Sequence, residues 1–226
     1  ADLEQLLDDA MLDPEQERAV SRQFSRQYHL VTRPERLEII AEDIVDHFLN
    51  RGFRGKGMYV AIDKATAVRM HDLVKERWDH KLHTMEAELE TVPLLERAHL
   101  ETQIEYLRST DMAVVVSQAQ NEQEDLAQEG LDIVPHRQRM NKEDLDSKFK
   151  DPADPFRLVF VCAMWLTGFD APSCSTLYLD KPMRNHTLMQ TIARANRVFP
   201  DKDNGLIVDY VGVFRNLEKA LVIYAK

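Results

Sequence analysis

"RLVFVCAMWLTGFDAPSCSTLYLD", residues 157–180, holds two apolar runs on either side of a polar turn. The runs "RLVFVCA" (157–163) and "STLYLD" (175–180) are near-continuously apolar, as strands buried on both faces must be. Three other stretches have the same character: "MYVAID" (58–63), "MAVVVS" (112–117) and "GLIVDY" (205–210). Helical patterns lie between them, and "FRNLEKALVIYAK" closes the chain. This alternation predicts an α/β layer structure around a mostly parallel sheet.

Upstream of the first strand the chain reads as helices. "DPEQ" at 13–16 offers Asp13 as N-cap with Pro14 at the first helical position, and "TRPE" at 32–35 reads as a capping box from Thr32 to Glu35. The second signal opens an amphipathic helix through Leu37, Ile40, Ile44, Val45 and Phe48. "NRGFRGKG" (50–57) breaks that pattern, so residues 1–50 are expected to form a helical lead-in and 51–226 the main domain. One connection is long: 64–109 is helical throughout, with a stripe at Val74, Trp78, Leu82, Met85 and Leu89, a break at Pro93, and a second stripe at Leu100, Ile104 and Leu107. It predicts a crossover helix extended into a helical hairpin insertion, about 76–109. Such a hairpin either docks a protein or packs on its own domain.

The 226 residues are 44% hydrophobic and 30% charged, a balance that favours a folded core over disorder. No apolar run approaches the ~18 residues of a membrane span, and the acidic start "ADLEQLLDDA" does not read as a signal peptide. Cys162 and Cys174 show no C-x-x-C spacing, so neither a zinc site nor a disulfide framework is expected, and no other metal site is read. The expected compartment is the cytoplasm. A net charge of −10 argues against nonspecific coating of nucleic acid, yet the charge is unevenly placed. Residues 76–107 carry eight acids and three bases, whereas 181–202 carry five bases and one acid. An anionic ligand belongs at the second stretch.

That stretch contains "LMQTIARANR" (188–197), in which Gln190, Arg194 and Arg197 recur at steps of four and three and so share one helical face. Two guanidiniums one turn apart suit a polyanion, because each offers planar, permanently charged donors. In "MWLTGFDAP" (164–172), Gly168 permits close backbone approach, Thr167 offers a hydroxyl and an amide to phosphate, and Asp170 can accept from ribose hydroxyls or orient an arginine. The segment follows a strand, at the edge where α/β sheets place ligands. No Walker A loop is present: in "GFRGKG" (52–57) the lysine precedes a strand rather than a helix.

Taken in order, T-G-F-D-A-P, "LYLDKP" and Q-x-x-x-R-x-x-R resemble motifs V and VI on the second RecA-like domain of superfamily 2 helicases, and "GMYVAIDKATAVRMHDL" (57–73) resembles motif IV. More narrowly, "MWLTGFDAP", "LYLDKPMRNHTLMQTIARANRV" and "GLIVDYVGVF" resemble the motor (R, or restriction) subunit of type I restriction enzymes. That resemblance runs from about Arg33 to the C-terminus and is most specific over 157–214.

The resemblance implies a RecA-like fold and a role in ATP-dependent translocation of double-stranded DNA before cleavage. Arg194 and Arg197 would be the motif VI arginines that reach the ATP phosphates across an interdomain cleft. Gln190 stands where DEAD-box relatives commonly have histidine and would sense the nucleotide together with Gly168 and Asp170 of motif V. Thr167, Lys181 and Arg184 would meet DNA. ATP and Mg²⁺ would be bound mainly by a first RecA-like domain that these residues do not include. Further expected partners are the nuclease domain of the same subunit and the modification and specificity subunits of the complex. The alternatives are a non-catalytic RecA-like binding module and the motor domain of another superfamily 2 helicase.

Overall fold

The computed structural model describes residues 25–52, 55–166, 168–183, 188, 191 and 205–212. Among them five strands form one sheet: β1 (Lys56–Ala61), β2 (Asp111–Val115), β3 (Phe156–Val161), β4 (Cys174–Asp180) and β5 (Leu206–Asp209). Their order is β2-β3-β1-β4-β5, and every pairing is parallel. All five runs read as strands from the sequence are found, each begun within two residues of its expected start.

The period of two sorts each strand between two cores. Tyr59, Ala61, Met112, Val114, Leu158, Phe160 and Tyr178 face one layer. Met58, Val60, Ala113, Val115, Val159, Val161, Leu177 and Leu179 face the other. The registers agree with this split, since Tyr59 pairs with both Phe160 and Tyr178.

Helices cover the first face. α1 (Pro34–Asn50) buries Leu37, Ile40, Ala41, Ile44, Val45 and Phe48, the stripe expected from its spacing. Its start differs from the expected capping box. Arg33 is the N-cap and no side chain caps the helix. The Thr32 hydroxyl instead donates back to the Tyr28 carbonyl, 2.9 Å away, as a residue closing the helical segment 25–31 does. Gly57 lets α1 approach the sheet: a Cβ there would lie 2.8 Å from Phe48 Cε2. The segment read as a lead-in therefore shares the core of the sheet.

α2 (Lys64–Leu89) starts on Asp63, whose carboxylate accepts from the Thr66 amide at 2.6 Å and from the Tyr28 hydroxyl at 2.5 Å. α3 (Leu94–Ser109) returns antiparallel to it after Pro93, and the Trp78 indole donates to the Leu107 carbonyl at 3.0 Å. Trp78, Met85, Ile104 and Leu107 are buried in the first core, so the hairpin packs on its own domain at its base. Its tip does not, since Leu94 and Leu95 are 83% and 97% exposed.

Three short helices follow: α4 (Glu122–Gln128), α5 (Val134–Lys142) and α6 (Leu145–Lys150). α6 covers the second face through Leu145 and Phe149. Lys56 is buried at the opposite end of the sheet from the strand C-termini, its ammonium donating to the Lys148 carbonyl at 2.7 Å, and burial lowers it to about 8. Its role there is structural.

His136 on α5 meets His71 on α2, ring centroids 4.6 Å apart, and burial with His71 beside it lowers the His136 imidazole to about 4. Asp72 and Asp132 oppose that shift and Arg139 adds to it. The unfolded chain therefore holds a proton at His136 between about pH 4 and 6.5 that the folded chain rejects. Its share of stability is complete above pH 6.5 and disappears as pH falls toward 4. We expect urea unfolding in metal-free buffer to give a pH 7 minus pH 5 stability difference about 1 kcal/mol smaller in His136→Gln than in wild type. An unchanged difference would place the acid sensitivity elsewhere.

Candidate functional site

Because every strand is parallel, the C-terminal ends Ala61, Val115, Val161, Asp180 and Asp209 share one edge. The connection after β1 runs over the first face as α2 and α3. Of the connection after β4, the described residues Met183 and Leu188 are buried in the second core. The C-terminal edge is the one at which open α/β sheets receive ligands.

Residues 162–173 leave this edge at the end of β3 and return to the start of β4. Among the described residues no helix forms there; the chain crosses the second face on apolar anchors. Leu166, Phe169 and Ala171 are buried, and Trp165 stacks on Phe169 with ring centroids 4.1 Å apart and planes at 7°. Phe149 backs both rings. Trp165 thus packs, as its position beside the T-G-F-D turn suggests. Gly168 and Asp170, between the anchors, are exposed. Gly168 has φ +74° and a Cβ there would meet nothing within 4 Å, so the requirement for glycine is conformational rather than steric. Thr167 lies outside the described residues.

Lys181 follows β4. Its ammonium donates to the Cys162 carbonyl at 3.1 Å, and the Cys162 thiol donates to the Ile62 carbonyl at 3.6 Å. These contacts tie the ends of β3, β1 and β4 together, so the cation expected to meet DNA is half-buried and has an internal partner. Both cysteines are free thiols.

At the end of β4 lies a polar network that sequence reading did not find. Asp180 is fully buried at the end of β4. It accepts from both terminal nitrogens of Arg36, at 2.5 and 3.1 Å, and from the Tyr59 hydroxyl at 2.7 Å. Burial pushes the Asp180 carboxyl up, against the pull of Arg36 and Tyr59. Arg36 also donates to the carbonyls of Val31 at 2.7 Å and Tyr210 at 3.1 Å. The Tyr210 ring packs against the first core, parallel to Tyr178, and its hydroxyl donates to Asp43 of α1 at 2.5 Å. Burial and Asp43 raise that phenol far above the usual range. The only local signal for this network is a carboxylate closing an apolar strand, "STLYLD".

A cleft of about 490 Å³ opens against this network, lined among others by Gln27, Arg33, Arg36, Met183 and Tyr210. Arg33 is exposed, which suits the cleft to an anionic group. The stretch expected to carry the phosphate-binding arginines starts just past Met183. Leu188 and Thr191 of that stretch are buried, with the Thr191 hydroxyl 3.7 Å from Met183 Sδ. Arg184, His186, Gln190, Arg194 and Arg197 lie outside the described residues.

Residues 96–212, slightly more than half of the chain, match the family model for type I restriction enzyme subunit R domain 3. The chain is similar to a candidate type I restriction enzyme endonuclease subunit, MjaIXP, of Methanocaldococcus jannaschii, at 34% identity over 216 residues. That match covers 94% of the chain and 17% of the relative. It is also similar to the type I restriction enzyme HindI endonuclease subunit of Haemophilus influenzae, at 56% identity over 89 residues, 38% of the chain and 8% of the relative. Among solved structures, a fragment of an HsdR subunit of a type I restriction enzyme from Vibrio vulnificus YJ016 covers 82% of the chain. It aligns over 30% of its own length at 17% identity, with a TM-score of 0.41. The chain thus spans less than a fifth of the length of the two curated relatives. Among the described residues, no helix is long and apolar enough to cross a membrane.

Proposed function

Because the chain belongs to the R subunits of type I restriction enzymes, we propose that it is the second RecA-like motor domain of such a subunit. It would supply motifs IV to VI for ATP-driven movement along double-stranded DNA. The observation that carries this reading is the cleft beyond the C-terminal ends of β4 and β5, lined by Arg33, Met183 and Tyr210. The Q-x-x-x-R-x-x-R stretch follows Met183 in the sequence.

When bound, ATP supplies the phosphoryl transfer that drives the motor, and Mg²⁺ would be held chiefly by the first RecA-like domain. In this chain Arg194 and Arg197 would bring two fixed positive forks to the phosphates, with Gln190, Gly168 and Asp170 relating nucleotide to DNA. Arg36 would not serve that purpose, because Asp180 and two carbonyls already take its donors. Its part is to hold α1 against the end of β4, which fixes one wall of the cleft. Thr167 and Arg184 would follow the DNA backbone. Lys181 would join them only by leaving the Cys162 carbonyl.

The test is duplex binding by this chain. We expect weak, salt-sensitive association with a log–log salt slope of about −2 to −4, as for two to four neutralised phosphates. Hydrogen exchange should show protection centred on 165–187 and none on the acidic hairpin, 76–107. Equal protection of the hairpin, or a slope near zero, would overturn the assignment of the DNA face.

A further inference from the structure

α5 is an unusual helix in this fold because none of its residues is fully buried, Met140 alone packing against both cores. Polar ties add to that contact. Arg137 donates to Glu122 at 2.7 Å, and Arg139 donates to Asp111 and to the Met112 carbonyl, each within 3 Å. The third attachment is His136, which lies against His71 and Asp72 of α2.

The donor atoms of these three residues converge, all within 4.8 Å of one another. Asp72 Oδ1 is 2.9 Å from His71 Nδ1 and 3.9 Å from His136 Nε2. A tetrahedral ion with bonds of about 2.0–2.2 Å wants its donors about 3.3 Å apart, and the observed spacings bracket that value. The two imidazoles meet edge to face at 83°, with side chains only 14% and 13% exposed. His71 stands edge-on to Phe160 of β3, so the sheet sets its position. Asp72 is 55% exposed, which leaves the remaining coordination position open to water.

From this arrangement we propose that His71, Asp72 and His136 form a binding site for one divalent transition-metal ion of the zinc class, which clips α5 to α2. Two nitrogen donors and one carboxylate suit Zn²⁺ and its neighbours. Mg²⁺ and Ca²⁺ prefer all-oxygen shells, so the site is distinct from any Mg²⁺ that accompanies a nucleotide. The proposal does not depend on the motor reading.

The test titrates zinc chloride into the chelator-stripped 226-residue chain by calorimetry, with Co²⁺ as a spectroscopic probe. We expect one equivalent of Zn²⁺ to bind, visible bands of tetrahedral Co²⁺, and no competition from millimolar Mg²⁺. His136→Gln and Asp72→Asn should each weaken Zn²⁺ at least about tenfold. Asp72→Asn is isosteric and largely exposed, and circular dichroism checks that both variants fold. The exposed pair His80 and His83 on the same helix serves as control: the double change to Gln should leave binding intact. Absence of stoichiometric binding, binding that survives Asp72→Asn and His136→Gln, displacement by Mg²⁺, or loss in the control variant would each overturn the site.

Discussion

Changing Arg197 or Arg194 to Ala in the complete R subunit is expected to lower DNA-stimulated ATP turnover by about 10³-fold or more. Charge develops on the transferring phosphoryl group, and a preorganised guanidinium in a closed cleft stabilises it more than water can. Lys in place of Arg197 should not restore the rate, because a point charge on a shorter reach lacks the planar fork. Folding should be nearly unaffected if both are surface arginines, whose loss usually shifts stability by no more than about 0.5 kcal/mol. Affinity for DNA without nucleotide should stay near wild type. The measurement pairs steady-state ATPase at saturating DNA with nucleotide-free DNA affinity for each variant. If ATPase persists while DNA affinity collapses, the two arginines grip the duplex and the phosphate assignment is wrong.

The second large effect belongs to stability. Arg36→Met should destabilise the chain by about 3 kcal/mol, toward the low end for a broken buried ion pair. The Arg36 side chain keeps 25% of its surface in water, which tempers the loss, but Asp180 keeps none and would be left with only the Tyr59 hydroxyl. Arg36 also satisfies the carbonyls of Val31 and Tyr210, which link the segment before α1 to the end of β5. Arg36→Met combined with Asp180→Leu should recover much of the loss, since an apolar pair removes the stranded charge together with its partner. Urea unfolding of the single and double variants decides the matter. A single-variant cost below about 1 kcal/mol would mean that water reaches Asp180 and that the pair is ordinary surface chemistry.

The strands and the hairpin were legible because their signals are local. A central parallel strand must be apolar along its whole length, so "RLVFVCA" announces β3 without its partners, and Pro93 marks the hairpin bend by removing a donor. The start of α1 differs from its local signal because residues 25–31 are helical, which only the structure reveals: Thr32 ends that segment, with its hydroxyl donating to the Tyr28 carbonyl, and Arg33 becomes the N-cap. The Arg36–Asp180 pair was invisible for another reason. Its members stand 144 residues apart, and an arginine in a first helical turn looks like any solvated base. The same holds for His71 and His136, each unremarkable alone on a mostly polar helix. In the candidate site, Gly168 and Asp170 were singled out by their place after a strand, and both are exposed between buried anchors on the second face. Thr167, Arg184, Gln190, Arg194 and Arg197 lie outside the described residues, so their roles rest on spacing and resemblance.

The strand order has a consequence for how the chain comes to be folded. Of the five strands β1 is made before the other four and ends up at the centre of the sheet, yet its partners β3 and β4 begin about a hundred residues later. At synthesis rates of about 5–20 residues per second it waits several seconds with both edges unpaired. During most of that interval α1, α2 and α3 cover its first face alone, and α6, which covers the second, is completed only just before β3. Closing β1 between two late partners is a non-local step whose loop entropy must be met before any ladder bond forms, which favours slow folding. The order of the strands thus makes the helical layer the nascent chain's guard against pairing with a stranger.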